Sequence, residues 1–294
     1  RIILDPNKLS ADGTVAVSDV SVSKDGKYLA YAIADGGSDW RKIKVMDIVS
    51  GKDLQDELNW VKFSEMSWFK NGFFYSRFDA PKDGKGLVSM SQFQKVYYHK
   101  LGDPQEKDEI ILGNSTIPSL IFTSQVTQNE KYLIIYEAES TFGNSLYIKN
   151  LTRNDGIVKL TTGYEFEYKV LDDINDNIIV LTNYKAPKYK LIKINVNTLD
   201  VGNWRDILPE KKEVLESCHL IGGKIVANYI EDVKSKVEVY DLDGEKINQI
   251  NFPIPGKFNG INGNLKDSLA FYSFSSFTIP TIVYKYNVNT NKSS

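Results

Sequence analysis

The sequence contains one cysteine and two histidines in 294 residues. A single cysteine, Cys218, excludes an internal disulfide framework. No apolar run approaches the roughly 18 residues needed to span a bilayer, which excludes a spanning helix. Basic residues do not exceed acidic ones (Lys+Arg 36, Asp+Glu 38, formal net charge -2). There is no basic excess to neutralise a phosphate backbone, which argues against nucleic acid as the main partner. No G-x-G-x-x-G and no G-x-x-x-x-G-K-[ST] occurs, so no phosphate-cradling loop is present. The chain opens on "RIILDPN", and no signal peptide is expected within this segment. The expected compartment is cytoplasmic or periplasmic.

What the sequence does have is a repeat. Six apolar segments each follow a turn: "KYLAYAI" from Lys27, "FFYSRF" from Phe73, "KYLIIYEA" from Lys131, "NIIVLTN" from Asn177, "KIVANYI" from Lys224 and "SLAFYSF" from Ser268. Counted from Tyr28 through Phe73, Tyr132, Ile178 and Ile225 to Leu269, the steps are 45, 59, 46, 47 and 44 residues. A second alternating segment follows each: "KIKVMDI", "KVYYHKL", "SLYIKNL", "KLIKINV", "KVEVYDL" and "TIVYKYN". Apolar residues alternate there with Lys, Asp and Asn, as in half-buried antiparallel strands. A third strand precedes the turn ("VAVSDVSVS", "FSEMSWF"), and a fourth often follows the pair ("EIIL", "IVKL", "RDIL", "INQINF").

Four strands at a period of about 40 to 50 residues predict an all-β fold, a β-propeller of four-stranded antiparallel blades. Six blades are visible over residues 1–294, read as a single domain. A β-sandwich also has many short strands, but it does not recur six times. The 59-residue step comes from "FDAPKDGKGLVSMSQF", a polar loop between Arg77 and Gln94 of the kind that is often functional or mobile. "DLQDELNW" at 53–60 is ambiguous between a short helix and an outer strand. "RIIL" (residues 1–4) reads as a strand. It is either the fourth strand that closes the last blade or the outer strand of a preceding one.

No catalytic constellation is legible. "DGGSDW" at 35–40 lacks the glycine two residues after Ser38 that a nucleophile elbow needs, and no strand-to-helix turn surrounds it. His99 alternates with Tyr98 and Lys100 and reads as a sheet-surface residue. Cys218 and His219 are adjacent on a strand, so they point to opposite faces and cannot act as nucleophile and base. Cys218 reads as a small buried hydrophobe. Asp241 and Asp243 in "DLDGEKIN" lack the later ligands of a calcium loop and read as a turn. No cluster has metal-ligand spacing.

Several stretches carry a more specific signal. They are "LDPNKLSADGTVAVSDVSVSKDGKYLAYAIADGGSDW", "IKVMDI", "VKFSEMSW", "KVYYHKLG", "TNYKAPKYKLIKIN", "LPEKKEVLES" and "SSFTIPTIVYKYN". Together they resemble the propeller domain of the prolyl oligopeptidase (prolyl endopeptidase) family of serine peptidases, over nearly the whole chain. The resemblance implies a seven-bladed propeller joined to an α/β-hydrolase domain that holds the catalytic triad. The propeller covers the active site, admits short proline-containing peptides and excludes folded proteins. It implies no metal or cofactor. On this reading the partners are the hydrolase domain of the same polypeptide and short peptides, with no membrane. The chain itself lacks the triad and is expected to be inactive alone.

The same resemblance nominates site residues. Phe63, in "VKFS", matches a residue lining the far end of the substrate pocket; the alternative is propeller core. Asp39, in "GSDW", matches one facing the hydrolase domain; the alternative is a turn-stabilising carboxylate. An Arg and a Cys that the family often carries near the substrate fall at Ala138 and Thr141, so that part of the rim is altered. A free-standing interaction module is the alternative function. A glycan-processing propeller enzyme would need a cluster of acids or Arg that the sequence does not show.

Overall fold

A computed structural model describes residues 2–80 and 91–294. The middle of the loop between Arg77 and Gln94 lies outside the described residues. Contacts divide the chain into two compact units, one up to Tyr164 and one from Glu165 onward.

The described residues of the first unit form twelve strands. The first sheet is β1 (Val15–Val22), β2 (Tyr28–Asp35), β3 (Arg41–Asp47) and β4 (Lys52–Val61). The second is β5 (Ser67–Phe69), β6 (Gly72–Arg77), β7 (Lys95–Lys100) and β8 (Glu109–Gly113). The third is β9 (Ile121–Val126), β10 (Tyr132–Ala138), β11 (Ser145–Asn150) and β12 (Val158–Lys159). The second unit repeats the plan. Its first sheet is β13 (Tyr168–Ile174), β14 (Asn177–Thr182), β15 (Lys190–Asn195) and β16 (Arg205–Leu208). Next come β17 (Val214–Ile221), β18 (Lys224–Glu231), β19 (Lys234–Tyr240) and β20 (Lys246–Ile250). Last are β21 (Lys257–Asn262), β22 (Leu269–Ser275), β23 (Ile282–Asn287) and β24 (Lys292–Ser293). Each set is an antiparallel meander in chain order, and a pairing of Val61 with Arg77 joins the first two sheets. This is the blade pattern of a β-propeller, and the fold is all-β.

The second strand of most sheets is buried on both faces, which is why it reads as a continuous apolar run rather than an alternation. Its consecutive residues serve different cores. Phe73 packs with Ile43, Leu58 and Trp68 of the first sheet–second sheet core, while Phe74 packs with Phe122 and Leu133 toward the third sheet. In the second unit, Ala227 joins Leu191 and Leu208 on one side, and Val226 joins Phe258 and Tyr286 on the other.

Two expectations are revised and one open alternative is decided. Residues 2–4 form no strand; Ile2 and Ile3 are exposed, and Leu4 docks by its side chain against Leu29, Tyr31 and Met46. The reason is local: Pro6 opens a 3-10 turn capped by the Asp5 carboxylate, which takes the chain away before a ladder can form. The fourth strand of the last sheet is β24, from "NKSS", paired to β23. "DLQDELNW" is strand, not helix, because β3 offers an edge that pairs Ile43 with Leu58 and buries Leu58.

Candidate functional site

The best-defined cluster of exposed side chains sits where β4 leaves the first sheet. Trp60 and Phe63 both take left-handed backbone (φ 61° and 53°). For a bulky side chain that conformation costs on the order of 1 kcal/mol or more each, and it persists only where the surroundings hold it. Here they do. Phe78 N donates to the Trp60 carbonyl (3.0 Å). Gln94, fully buried, donates to the Lys62 carbonyl (2.6 Å) while its own carbonyl accepts from Phe122 N (2.6 Å). Ser76 N donates to Ser64 Oγ (2.8 Å). The outcome is that Phe63 is turned outward, 49% exposed. It is not propeller core.

Asp39 lies in the turn between β2 and β3, exposed, with its carboxylate 3.2 Å from Lys62 Nζ. The Lys62 ammonium sits 5.1 Å from the centre of the Phe63 ring and 5.6 Å from that of Trp40. Trp40 in turn packs edge-on against Trp60 and Phe78, each at 5.8 Å. The structure thus brings Asp39 and Phe63 together through Lys62, a residue that sequence reasoning did not single out. Trp40, the Trp60–Lys62 segment and Gln94 converge from three separate stretches of chain. Only the left-handed turn signal could have flagged them, and neither Trp60 nor Phe63 is a residue type that advertises it. Thr141 is exposed in the turn between β10 and β11, and no hydrogen bond, ion pair or ring contact joins it to this cluster. Ala138 ends β10 and is half-buried.

The other candidates resolve as structure. The Ser38 hydroxyl accepts from Trp40 N (3.1 Å), stabilising the turn. His99 is not at a sheet surface: it is fully buried between two carboxylates, with Nδ1 2.7 Å from Asp108 and Nε2 2.9 Å from Asp56. Burial opposes its charge, but the hydrogen bonds to Asp108 and Asp56 outweigh it and hold its pKa at about 9. Tyr75 donates to the other Asp108 oxygen (2.6 Å), and Gly102 N donates to Asp56 (2.7 Å). This network ties β4 to β7 and leaves no open position for a substrate. Cys218 is buried in the second unit's core, and burial pushes its thiol well above the usual range. His219 faces the other way, into an open cavity of about 290 Å³ with Asn259, Asn262 and Phe271. Burial, helped by the Lys169 charge, lowers its pKa to about 4. Asp241 accepts from the backbone N–H groups of Asp243 and Glu245, as a turn does. Among the described residues no group of three or more His, Cys, Asp or Glu is placed to hold a metal ion. No helix among them is long and apolar enough to cross a membrane.

Taken over all the sheets, the connections at the two ends differ in how often they carry exposed apolar side chains. Exposed large apolar residues stand on the connections that follow second and fourth strands: Phe63, Ile117, Phe142, Val233 and Phe277. On the connections after first and third strands only Val49 and Val201 do so among the described residues.

Comparison with known proteins agrees with this geometry. The family model described as prolyl oligopeptidase, N-terminal beta-propeller domain, matches residues 1–294. A prolyl endopeptidase of Elizabethkingia meningoseptica is 37% identical over 294 residues, covering 100% of this chain and 42% of that protein. A dual function macrocyclase-peptidase of Galerina marginata is 29% identical over 308 residues, covering 97% of this chain and 42% of its own. Among solved structures, one from a study of two prolyl endopeptidases and their inter-domain dynamics superimposes with a TM-score of 0.90 at 31% identity, over 100% of this chain and 42% of that one. Prolyl oligopeptidase B of Galerina marginata, bound to a 35mer hydrolysis and macrocyclization substrate, gives 0.90 at 28% identity, over 99% of this chain and 43% of that one. The chain spans less than half the length of the relatives it matches.

Proposed function

The chain belongs to the prolyl oligopeptidase family, as its N-terminal β-propeller domain, and from that membership we propose that it is the substrate-gating part of a serine endopeptidase that cleaves short peptides after proline. The catalytic residues are supplied by an α/β-hydrolase domain of the same polypeptide. That domain docks on the ends of the first unit's sheets, where the connections after second and fourth strands carry the apolar tips Phe63, Ile117 and Phe142. The observation that carries this reading is the placement of those tips together with Asp39, Lys62 and Phe63. Exposed apolar side chains on one kind of turn are unexplained in a free propeller and are accounted for by a partner that covers them. Phe63 then forms part of the rim of the substrate pocket, Asp39 meets the hydrolase domain, and Thr141 borders the same pocket from the third sheet. The working compartment, cytoplasmic or periplasmic, is one where short peptides are available.

Calorimetric titration of the chain with a separately made hydrolase domain tests the docking end. Ile117→Ser and Phe142→Ser remove exposed side chains and leave the cores intact. Together they should weaken binding by about tenfold or more, as central apolar contacts do. Val49→Ser, on a connection after a third strand, should leave binding unchanged. Equal losses from both sets, or no binding at all, would contradict the proposed docking end.

A further inference from the structure

We propose that Lys62 is a positioning residue for substrate, fixing the Phe63 ring in its outward pose; this rests on the reading of Phe63 as substrate-facing. The backbone at Phe63 is held by Gln94 and by the Ser64–Ser76 bond, but those contacts do not reach the ring. Among the described residues the ring makes one aromatic or ionic contact, with the Lys62 ammonium at 5.1 Å. A ring left half in solvent on a single rotatable stem samples several rotamers, and binding would have to select one of them.

Lys62 is suited to make that selection in advance. Its side chain is only 18% exposed, so its stem is packed rather than free. The Asp39 carboxylate pins the ammonium at 3.2 Å, and the Trp40 ring lies beneath it at 5.6 Å. Trp40 is locked in turn by Trp60 and Phe78. A rigid aromatic base thus holds a cation, and the cation holds the one ring that projects. Desolvation of the stem places this cation–π contact above the weakest, fully exposed cases.

The role has a kinetic signature. It acts through Phe63, and it concerns binding rather than bond breaking. In the full-length peptidase, Lys62→Met should raise KM by about two- to fivefold for a proline-containing peptide long enough to reach Phe63, with kcat unchanged. Lys62→Arg keeps a cation over both rings and the pair with Asp39, and should restore KM. In a Phe63→Ala background, Lys62→Met should add nothing, because the two substitutions remove the same contact. A merely structural lysine would lower the melting temperature of the variants and change KM equally with or without Phe63. If Phe63→Ala raises KM but Lys62→Met does not, or if Lys62→Met acts equally in the Phe63→Ala background, the role of Lys62 is overturned while Phe63 stands. If Phe63→Ala itself leaves KM unchanged, the reading of Phe63 falls and the role of Lys62 falls with it.

Discussion

His99 carries its charge where no solvent reaches it, and the consequence is a pH dependence of stability. Folded, it holds its proton up to about pH 9. In an unfolded chain an ordinary histidine releases it near 6.5. Because the folded state binds the proton more tightly, this contribution is complete below about pH 6.5 and is lost as pH rises through 9. Urea unfolding of the chain should therefore show a midpoint that falls between pH 7 and pH 9.5. His99→Gln should flatten that fall. It should also lower stability at pH 7 by about 3–5 kcal/mol, since Asp56 and Asp108 would lose their buried counter-charge. A midpoint with the same pH slope in both proteins would show that His99 is neutral in the fold. The sequence offered no sight of this network. Asp56, His99 and Asp108 lie on β4, β7 and the turn before β8, and alternation along "VYYHKLG" places His99 on a face without saying what covers that face.

At the scale of elements, most of the architecture was legible. The six central segments and their alternating partners appear as strands within a residue or two of where the apolar pattern places them. Pattern and pairing agree there because both faces of the second strands are covered. Readings stayed open or failed where a short segment depends on a partner that sequence cannot see. "DLQDELNW" has helix-compatible spacing at Leu54 and Leu58, yet β3 presents an edge that captures it. "RIIL" has strand-like composition, yet residues 2–4 meet no pairing edge. The "DGKY" turn is a case where local chemistry suffices. Ser23 and Asp25 accept from Tyr28 N and Lys27 N, and Thr127 and Asn129 repeat the arrangement before β10. The assignment of β4 makes its own forecast. Leu58→Ala should cost about 2–5 kcal/mol, because Leu58 is fully buried between the first two sheets. Leu54→Ala, at a half-buried position, should cost clearly less. Thermal unfolding of the two variants distinguishes them, and equal costs would contradict the observed strand register.

At the scale of the whole molecule, the resemblance found in the sequence identified the family, and it nominated Phe63 and Asp39 without showing how they are connected. Lys62 supplies that connection, and it emerges only when the turn after β4 is folded back beside the turn after β2. The remaining question is whether the chain gates cleavage after proline, as proposed. The direct measurement is cleavage after proline in three preparations: the 294-residue chain, the hydrolase domain, and the two mixed. Each is given a short peptide and a folded protein carrying the same proline sequence on an ordered surface. A gating propeller without a triad gives no turnover by the chain alone, and in the mixture cleavage of the short peptide but not of the folded protein. Turnover by the chain alone, or a mixture that cleaves both substrates at the same rate, would contradict it.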